Sequence, residues 1–368
     1  MRWWGAQVVV GWRLGLGEFP VYKGDYKTVM PQGEVFAGVD VPLLRDREVD
    51  KRRLAEAKAA LGVKIAEQEL RKEQLKVALK AAQTYWKWVA TGRKLGVERR
   101  LLEIAQQRDA AIRARVDAGE LPEIDHIENQ RAIAQRQARL ASAQGELGEA
   151  AWALSLFWRD AQGAPQVAGE GALPARGGQA GQAVEIGLEE ALAARPEMEA
   201  IELKRRALEL ERAWTQAQQL PKLDLSAKAS KGLVPEIDYL DEVSVGVKLQ
   251  YFLGQEVAKG QEEGLDARLV ALEAERRAVR DGVQAELGAA WVGVEASRAR
   301  VELVARELEI ARQVEQAERD RLALGDSTLL LVNLREQSTA DAEKALIDAE
   351  AAYEAALAAY RLAAGRLR

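Results

Sequence analysis

Cysteine is absent from the 368 residues and histidine occurs once, at His126. The first absence excludes disulfide frameworks, thiolate zinc sites and cysteine nucleophiles. The second removes most two-histidine metal sites and argues against a histidine-based triad. Charge of one sign is not in large excess either: 53 basic residues face 58 acidic ones, a net charge of −5. A chain that neutralises nucleic-acid phosphates needs a concentrated basic face, so no nucleic-acid partner is expected. No uncharged apolar run reaches the roughly 18 residues of a transmembrane helix. The opening Met1-Arg2-Trp3-Trp4-Gly5-Ala6-Gln7 lacks the apolar core and small-residue cleavage site of a signal peptide.

What is present is an internal repeat, the usual mark of a repeated structural unit. Arg115 begins RVDAG, and 206 residues later Arg321 begins RLALG. On the same offset Leu140, Leu147 and Leu154 fall on Leu346, Tyr353 and Tyr360, two heptad ladders in register. Upstream, Val39-Asp40-Val41-Pro42-Leu43-Leu44 lies over Val247-Lys248-Leu249-Gln250-Tyr251-Phe252 at an offset of 208, which places a two-residue indel between the registers.

Each copy holds a very long helical pattern. Residues 46–118 and 255–324 are rich in Ala, Leu, Glu, Lys and Arg. Straight helices of that size span about 100 Å, more than a compact domain accommodates. Residues 124–159 and 330–366 read as return helices about half as long. Leu265, Leu269, Leu272, Val279 and Val283 keep the four-and-three spacing of a coiled-coil seam. Residues 161–187 are rich in Gly, Pro, Ala and Gln and read as a linker. A shorter helix then starts at Pro196, where a missing N–H costs nothing, and ends at Leu220-Pro221.

Before each long helix the period changes to two. Trp4, Ala6, Val8, Val10, Trp12, Leu14 and Leu16 form one apolar face, while Gln7, Gly11, Arg13 and Gly15 lie opposite. Val35, Ala37, Val39, Val41 and Leu43 repeat the device, as do Leu223, Leu225, Ala227 and Ala229, then Val243, Val245, Val247, Leu249 and Tyr251. Two hairpins packed on a soluble core would show the same alternation. Helices this polar offer little apolar surface to cover such faces, however, and strands of about 9–11 residues suffice to cross a bilayer at a tilt. Lipid-facing strands cannot leave open edges, and four strands cannot close a barrel, so several chains must pool theirs.

Chemistry-bearing groups are sparse. Asp and Glu are spread along helices that read as solvated, so neither an enzyme nor a cofactor is expected. His126 reads as a solvent-exposed turn residue, since no partner has ligand spacing. Asp117, Glu120, Glu123 and Asp125 cluster at one helix break, with Asp320 and Asp326 at the other. They are either charged loop tips or an acidic aperture. Trp86 and Trp88 flank Lys87, and Trp291 lies over Tyr85 by the repeat offset. Such aromatics are packing residues or mark where the helices meet an outer belt.

In order, these elements resemble the TolC family of outer-membrane efflux proteins. The residues that carry the resemblance are Val39-Asp40-Val41-Pro42-Leu43-Leu44-Arg45-Asp46 and Val245-Gly246-Val247-Lys248-Leu249 before the long helices, and Ala194-Arg195-Pro196-Glu197 with Leu220-Pro221-Lys222-Leu223. The turns at Gly119 and Gly325 also carry it. The fold class implied is mainly α with β, two repeats of a β-hairpin plus a long antiparallel helical hairpin. Three copies would form a β-barrel continued by a helical tunnel. Residues 1–44 would be the first membrane hairpin, 45–160 the first tunnel hairpin, 161–187 the linker, 188–220 a short equatorial helical segment, 221–253 the second membrane hairpin and 254–368 the second tunnel hairpin.

The resemblance implies a homotrimeric exit channel in the outer membrane, reaching into the periplasm, for tripartite efflux or type I secretion. Its partners would be a periplasmic adaptor, or membrane fusion, protein, an inner-membrane transporter and outer-membrane lipid. Trp4, Val8, Val10, Trp12, Leu14, Val245, Val247 and Leu249 would face lipid. Asp117, Gly119, Glu120, Glu123, Asp125, Asp320, Gly325 and Asp326 would form the periplasmic tip. The family begins with an export signal and a helical segment before the first strand, so the sequence reads as N-terminally truncated. The family's aspartate six residues after the turn glycine is matched by Asp125, whereas Leu331 stands at the second position. A soluble coiled-coil scaffold and a periplasmic adaptor are the alternatives.

Overall fold

The computed structural model describes residues 5–14, 33–174, 184–233, 242–251 and 254–366. Among these residues four strands and six α-helices follow in the order β1 (Gln7–Arg13), β2 (Glu34–Pro42), α1 (Lys51–Asp117), α2 (Glu123–Ser155), α3 (Leu188–Ala194), α4 (Pro196–Gln218), β3 (Lys222–Gly232), β4 (Glu242–Gln250), α5 (Glu256–Ala323) and α6 (Leu329–Ala363), with a short 3-10 turn at Glu170–Ala172. The chain separates into two units, residues 1–69 with 197–279 and residues 70–196 with 280–368, and α1 and α5 contribute to both.

In the first unit the strands form one antiparallel sheet in the order β1-β2-β3-β4. The two hairpins are therefore joined, by β2 pairing with β3. The described part of β1 has 7 residues, short of the 13 or so read from the alternation; Trp4 and Leu16 lie outside the described residues, and Leu14 follows the strand. The long helix starts at Lys51, later than expected, because Asp46 takes a left-handed φ of 67° that breaks it from β2. Gln218 at the end of α4 donates to Asp46 Oδ1 at 2.8 Å and holds that corner. Asp50 then caps α1, its Oδ1 accepting from Arg53 N at 2.9 Å. The seam expected on α5 is present: Leu265 and Leu272 are buried and Leu269 half-buried. Lys58–Glu211 at 2.6 Å and Arg212–Asp266 at 2.8 Å pair the helices outside it.

In the second unit one apolar cluster gathers Trp88, Val89 and Leu95 of α1 with Ala143, Leu147, Ala150 and Leu154 of α2. Trp88 is fully buried, which settles it as a packing residue. Its truncation to Ala is of the kind that costs about 3–5 kcal/mol. A second cluster joins Ala191 of α3 to Leu287 and Val294 of α5 and Tyr353, Leu357 and Tyr360 of α6. The first half of the stretch read as a linker is not loose. Ala168 enters the α1–α2 cluster, Leu173 lies over Gly92 so closely that a Cβ there would stand 2.5 Å from it, and Glu170 pairs with Arg99. Gly92 thus lets that segment seat on α1.

Candidate functional site

The sheet brings the apolar positions of all four strands into continuous rows. Val8 pairs with Val39, Val39 with Ala227 and Ala227 with Val245; the next row is Val10, Ala37, Ala229 and Val243. Between these run polar rows, Gln7–Asp40–Ser226–Gly246 and Gly11–Phe36–Ser230–Glu242, and another in which Val9 is the one large aliphatic beside Gly38, Lys228 and Ser244. Lys228 Nζ sits 4.2 Å from the Phe36 ring centroid, and Arg13 pairs with Glu34.

Exposure runs opposite to that of a soluble sheet. In β2 and β3, Val35, Ala37, Val39, Ala227 and Ala229 are exposed while Phe36, Gly38, Lys228 and Ser230 are half-buried. Val10 is 75% exposed and Val245 72%. The apolar face is thus the outer one along this stretch of β2 and β3; further along, Asp40 is exposed while Val41, Leu223 and Leu225 are half-buried, and in the edge strands β1 and β4 nearly every residue of both faces is exposed. Trp12, Val247, Leu249 and Leu14 are exposed as well; Trp4 lies outside the described residues. In water such a surface is an aggregation hazard; in lipid it is the favourable one.

The two helix turns close identically. At Gly119, with φ of 76°, Glu120 N donates to Arg115 O and Gly119 N to Val116 O, both at 2.9 Å. At Gly325, with φ of 84°, Asp326 N donates to Arg321 O at 2.9 Å and Gly325 N to Leu322 O at 3.1 Å. Both are Schellman closings, which need a left-handed residue at the glycine position. A Cβ added at either glycine meets nothing within 4 Å. Within the chain, the backbone closing accounts for both glycines.

The acidic residues of the turns divide into two groups. Asp117 pairs with Arg113 at 3.4 Å, Glu120 with Arg115 at 3.3 Å, Glu123 lies 3.9 Å from His126, and Asp320 accepts from Gln316 at 2.8 Å. The side chains of Asp125 and Asp326 have no such partner among the described residues. Glu123 and Asp125 also stand in the first turn of α2, whose N-cap is Pro122 and has no side-chain cap, so their charge complements the helix dipole. At the second turn Thr328 caps α6, its Oγ1 accepting from Leu331 N at 3.4 Å. His126 is not a solvent-exposed turn residue. Its side chain is only 13% exposed and lies between Asp109, at 3.7 Å, and Glu123. Among the described residues no cluster of three or more His, Asp or Glu could hold a metal.

The expectation that the helical carboxylates are solvated fails at Glu336. Its side chain is fully buried and receives three guanidinium groups: Arg108 from α1, Arg136 from α2 at 2.8 Å and Arg319 from α5 at 3.2 Å. Burial acts to raise its pKa, but the charge of Arg108, the hydrogen bond and charge of Arg136 and the charge of Arg319 outweigh burial and hold it below the ordinary carboxylate range. One residue of α6 therefore ties together all four long helices near the turns. The signal was available: Glu336 falls on the stripe of Leu329, Val332, Thr339 and Ile347, where a solvated residue has no place. Further along α1 and α6, Arg100–Glu343 at 2.7 Å and Glu98–Lys344 at 2.8 Å continue the seam.

Residues 187–366 match the family model described as outer membrane efflux protein. Comparison of the sequence with curated proteins gives no match. Among solved structures, the outer-membrane channel OprN superposes with a TM-score of 0.72 at 19% identity, over 98% of this chain and 81% of that one. The outer membrane protein VceC of Vibrio cholerae gives 0.68 at 16%, over 98% and 86%. The MtrE outer membrane channel of Neisseria gonorrhoeae gives 0.70 at 15%, over 98% and 79%. These likenesses bear out the fold class of paired strands and long helical hairpins. Residues 187–366 thus match the outer membrane efflux protein model, and over nearly its whole length the chain has a fold similar to that of the outer-membrane channels OprN and MtrE.

Proposed function

We propose that three copies of this chain form a passive duct, the outer-membrane exit of a tripartite efflux or type I secretion assembly, carrying small molecules or polypeptides and catalysing nothing itself. Its place is the outer membrane, with its helices in the periplasm, where a membrane fusion protein and an inner-membrane transporter supply the cargo. The observation that carries this reading is the outward apolar face of the sheet. A soluble scaffold would cover Val10 and Val245, which are instead 75% and 72% exposed. An adaptor with one helical hairpin is less consistent with two helical hairpins and four strands. With β1 and β4 at its edges, the sheet needs neighbours, and three copies pool enough strands to exceed the roughly eight of the smallest barrels.

The test is reconstitution of the full-length protein. Light scattering in detergent is expected to give a trimer, and planar bilayers a large ohmic conductance. A monomer that stays in the aqueous phase without detergent and conducts nothing rejects the duct.

The acidic turns belong to this reading as the periplasmic mouth. Because Asp125 and Asp326 are the two turn carboxylates with no side-chain partner among the described residues, they are the ones free to act on a permeating ion. Asp117 and Glu120 are offset by their arginines. Replacing Asp125 and Asp326 together by Asn is expected to lower cation selectivity, read as a reversal-potential shift under a salt gradient. Unchanged selectivity with normal assembly returns these acids to the role of tip charge and helix-dipole partner.

A further inference from the structure

Between α1, α5 and α6 of the second unit lies a cavity of about 990 Å³, in the size class that takes drug-sized molecules. The duct reading makes no use of it. Its aromatic walls come from both repeats: Tyr85 and Trp86 on α1, Trp291, at the repeat position of Tyr85, on α5, and Tyr353 on α6. Trp86 and Trp291 are each only half-buried. Tyr85 meets Trp86 edge-on with centroids 5.2 Å apart, and Trp291 meets Tyr360 at 5.2 Å, so the rings are held by neighbours. Val97, Val294 and Ile347 supply an aliphatic floor.

Among the described residues the lining carboxylates outnumber the lining guanidinium groups. Arg93 pairs with Glu350 at 2.5 Å, Arg100 with Glu343 at 2.7 Å and Arg298 with Glu302 at 3.3 Å. Two further lining carboxylates, Glu295 and Glu354, have no ion pair among the described residues. Burial pushes the Glu354 carboxyl up, against the weaker opposing charge of Arg361.

We propose that this cavity binds lipophilic organic cations, with the positive centre between Glu354, Glu295 and the faces of Trp86 and Trp291 and the apolar body on the aliphatic floor. The rings add cation–π attraction to the charge, and an anion of the same shape is repelled by the two carboxylates while the lining guanidinium groups are already engaged with glutamates.

The test uses the assembled full-length protein in detergent, dialysed against tetraphenylphosphonium and against tetraphenylborate, which has nearly the same shape and the opposite charge. Protein-free micelles serve as the blank. Saturable binding is expected, with the cation at least about tenfold tighter than the anion. Glu354→Gln is expected to weaken the cation about tenfold and leave the anion unchanged, with helical melting as in the wild type. Glu295→Gln, at an exposed position, is a second variant that does not disturb a core, and it should weaken the cation as well. Absence of saturable binding, which is what a second copy seated in the cavity gives, overturns the proposal. So does equal affinity for the two ions, or a cation affinity indifferent to both Gln variants. No membrane is present in this measurement, so a failed duct and an empty cavity give different results.

Discussion

Val245→Arg is expected to impair insertion of the sheet into a bilayer by about 2–4 kcal/mol near the midplane, and Val8→Arg by a similar amount. Both residues lie in the row Val8–Val39–Ala227–Val245, in which every side chain is apolar and every position is on the outward face. An arginine there must take its charge into hydrocarbon or drag water after it. Ser244→Arg, one residue away on β4, places the same charge on the opposite face beside Lys228 and Gly38 and is expected to be mild. The contrast between neighbours is the decisive part, because both substitutions introduce the same charged side chain one residue apart on the same strand. Folding into lipid vesicles, followed by urea titration and gel mobility of unheated samples, reads the difference. Equal penalties on the two faces remove the assignment of lipid to the apolar rows.

Removing the carboxylate of Glu336 is expected to be costlier still. Glu336→Ala leaves Arg136, whose side chain is 4% exposed, and Arg108 without their shared counter-charge. Breaking a buried ion pair by deleting one partner costs about 3–5 kcal/mol, because the remaining charge stays desolvated. Deleting an exposed pair such as Arg298–Glu302 on α5 should cost at most about 1 kcal/mol. The pH dependence follows from the lowered pKa of Glu336. A carboxyl that ionises more readily in the folded chain contributes stability at pH above its unfolded value and loses it as the pH falls through the folded one. The melting gap between wild type and Glu336→Gln should therefore be constant from about pH 6 to 8 and close below about pH 4. A Glu336→Ala protein that melts with the wild type, or a gap that widens in acid, contradicts the role given to this residue.

Much of the architecture was legible because it rests on local rules. The alternation of Val243, Val245 and Val247 with Ser244, Gly246 and Lys248 is a strand whatever surrounds it, and β4 is that strand. Gly119 and Gly325 end helices because a left-handed residue closes the last turn, a matter of a few successive residues. The absence of proline within residues 46–118, together with the alanine and charge there, writes a long helix, and α1 runs for 67 residues. Where the sequence reading missed the start of that helix, a non-glycine left-handed residue, Asp46, intervened, and its support comes from Gln218 far along the chain.

The candidate sites were less legible. The turn acids could be counted, but not sorted, since Arg113 and Arg115 neutralise two of them while Asp125 and Asp326 stand alone. The packed half of the Gly/Pro-rich stretch was hidden, because the seat for Leu173 is made by the absent side chain of Gly92 on another element.

By itself, then, the sequence determined the elements, their order, their duplication and which side of each strand is apolar, since periodicity and turn chemistry act within a few residues. Only the tertiary structure decided that the hairpins join through β2 and β3 into one sheet with its apolar side outward. It also decided that Glu336 is a buried hub and not a surface charge. The reason is the same in both cases. A strand pairing and a charge cluster depend on groups far apart in the chain, Arg136 and Glu336 being 200 residues apart. Whether a carboxylate meets water or guanidinium is set by what the fold brings to it, while its own neighbours in sequence read alike either way.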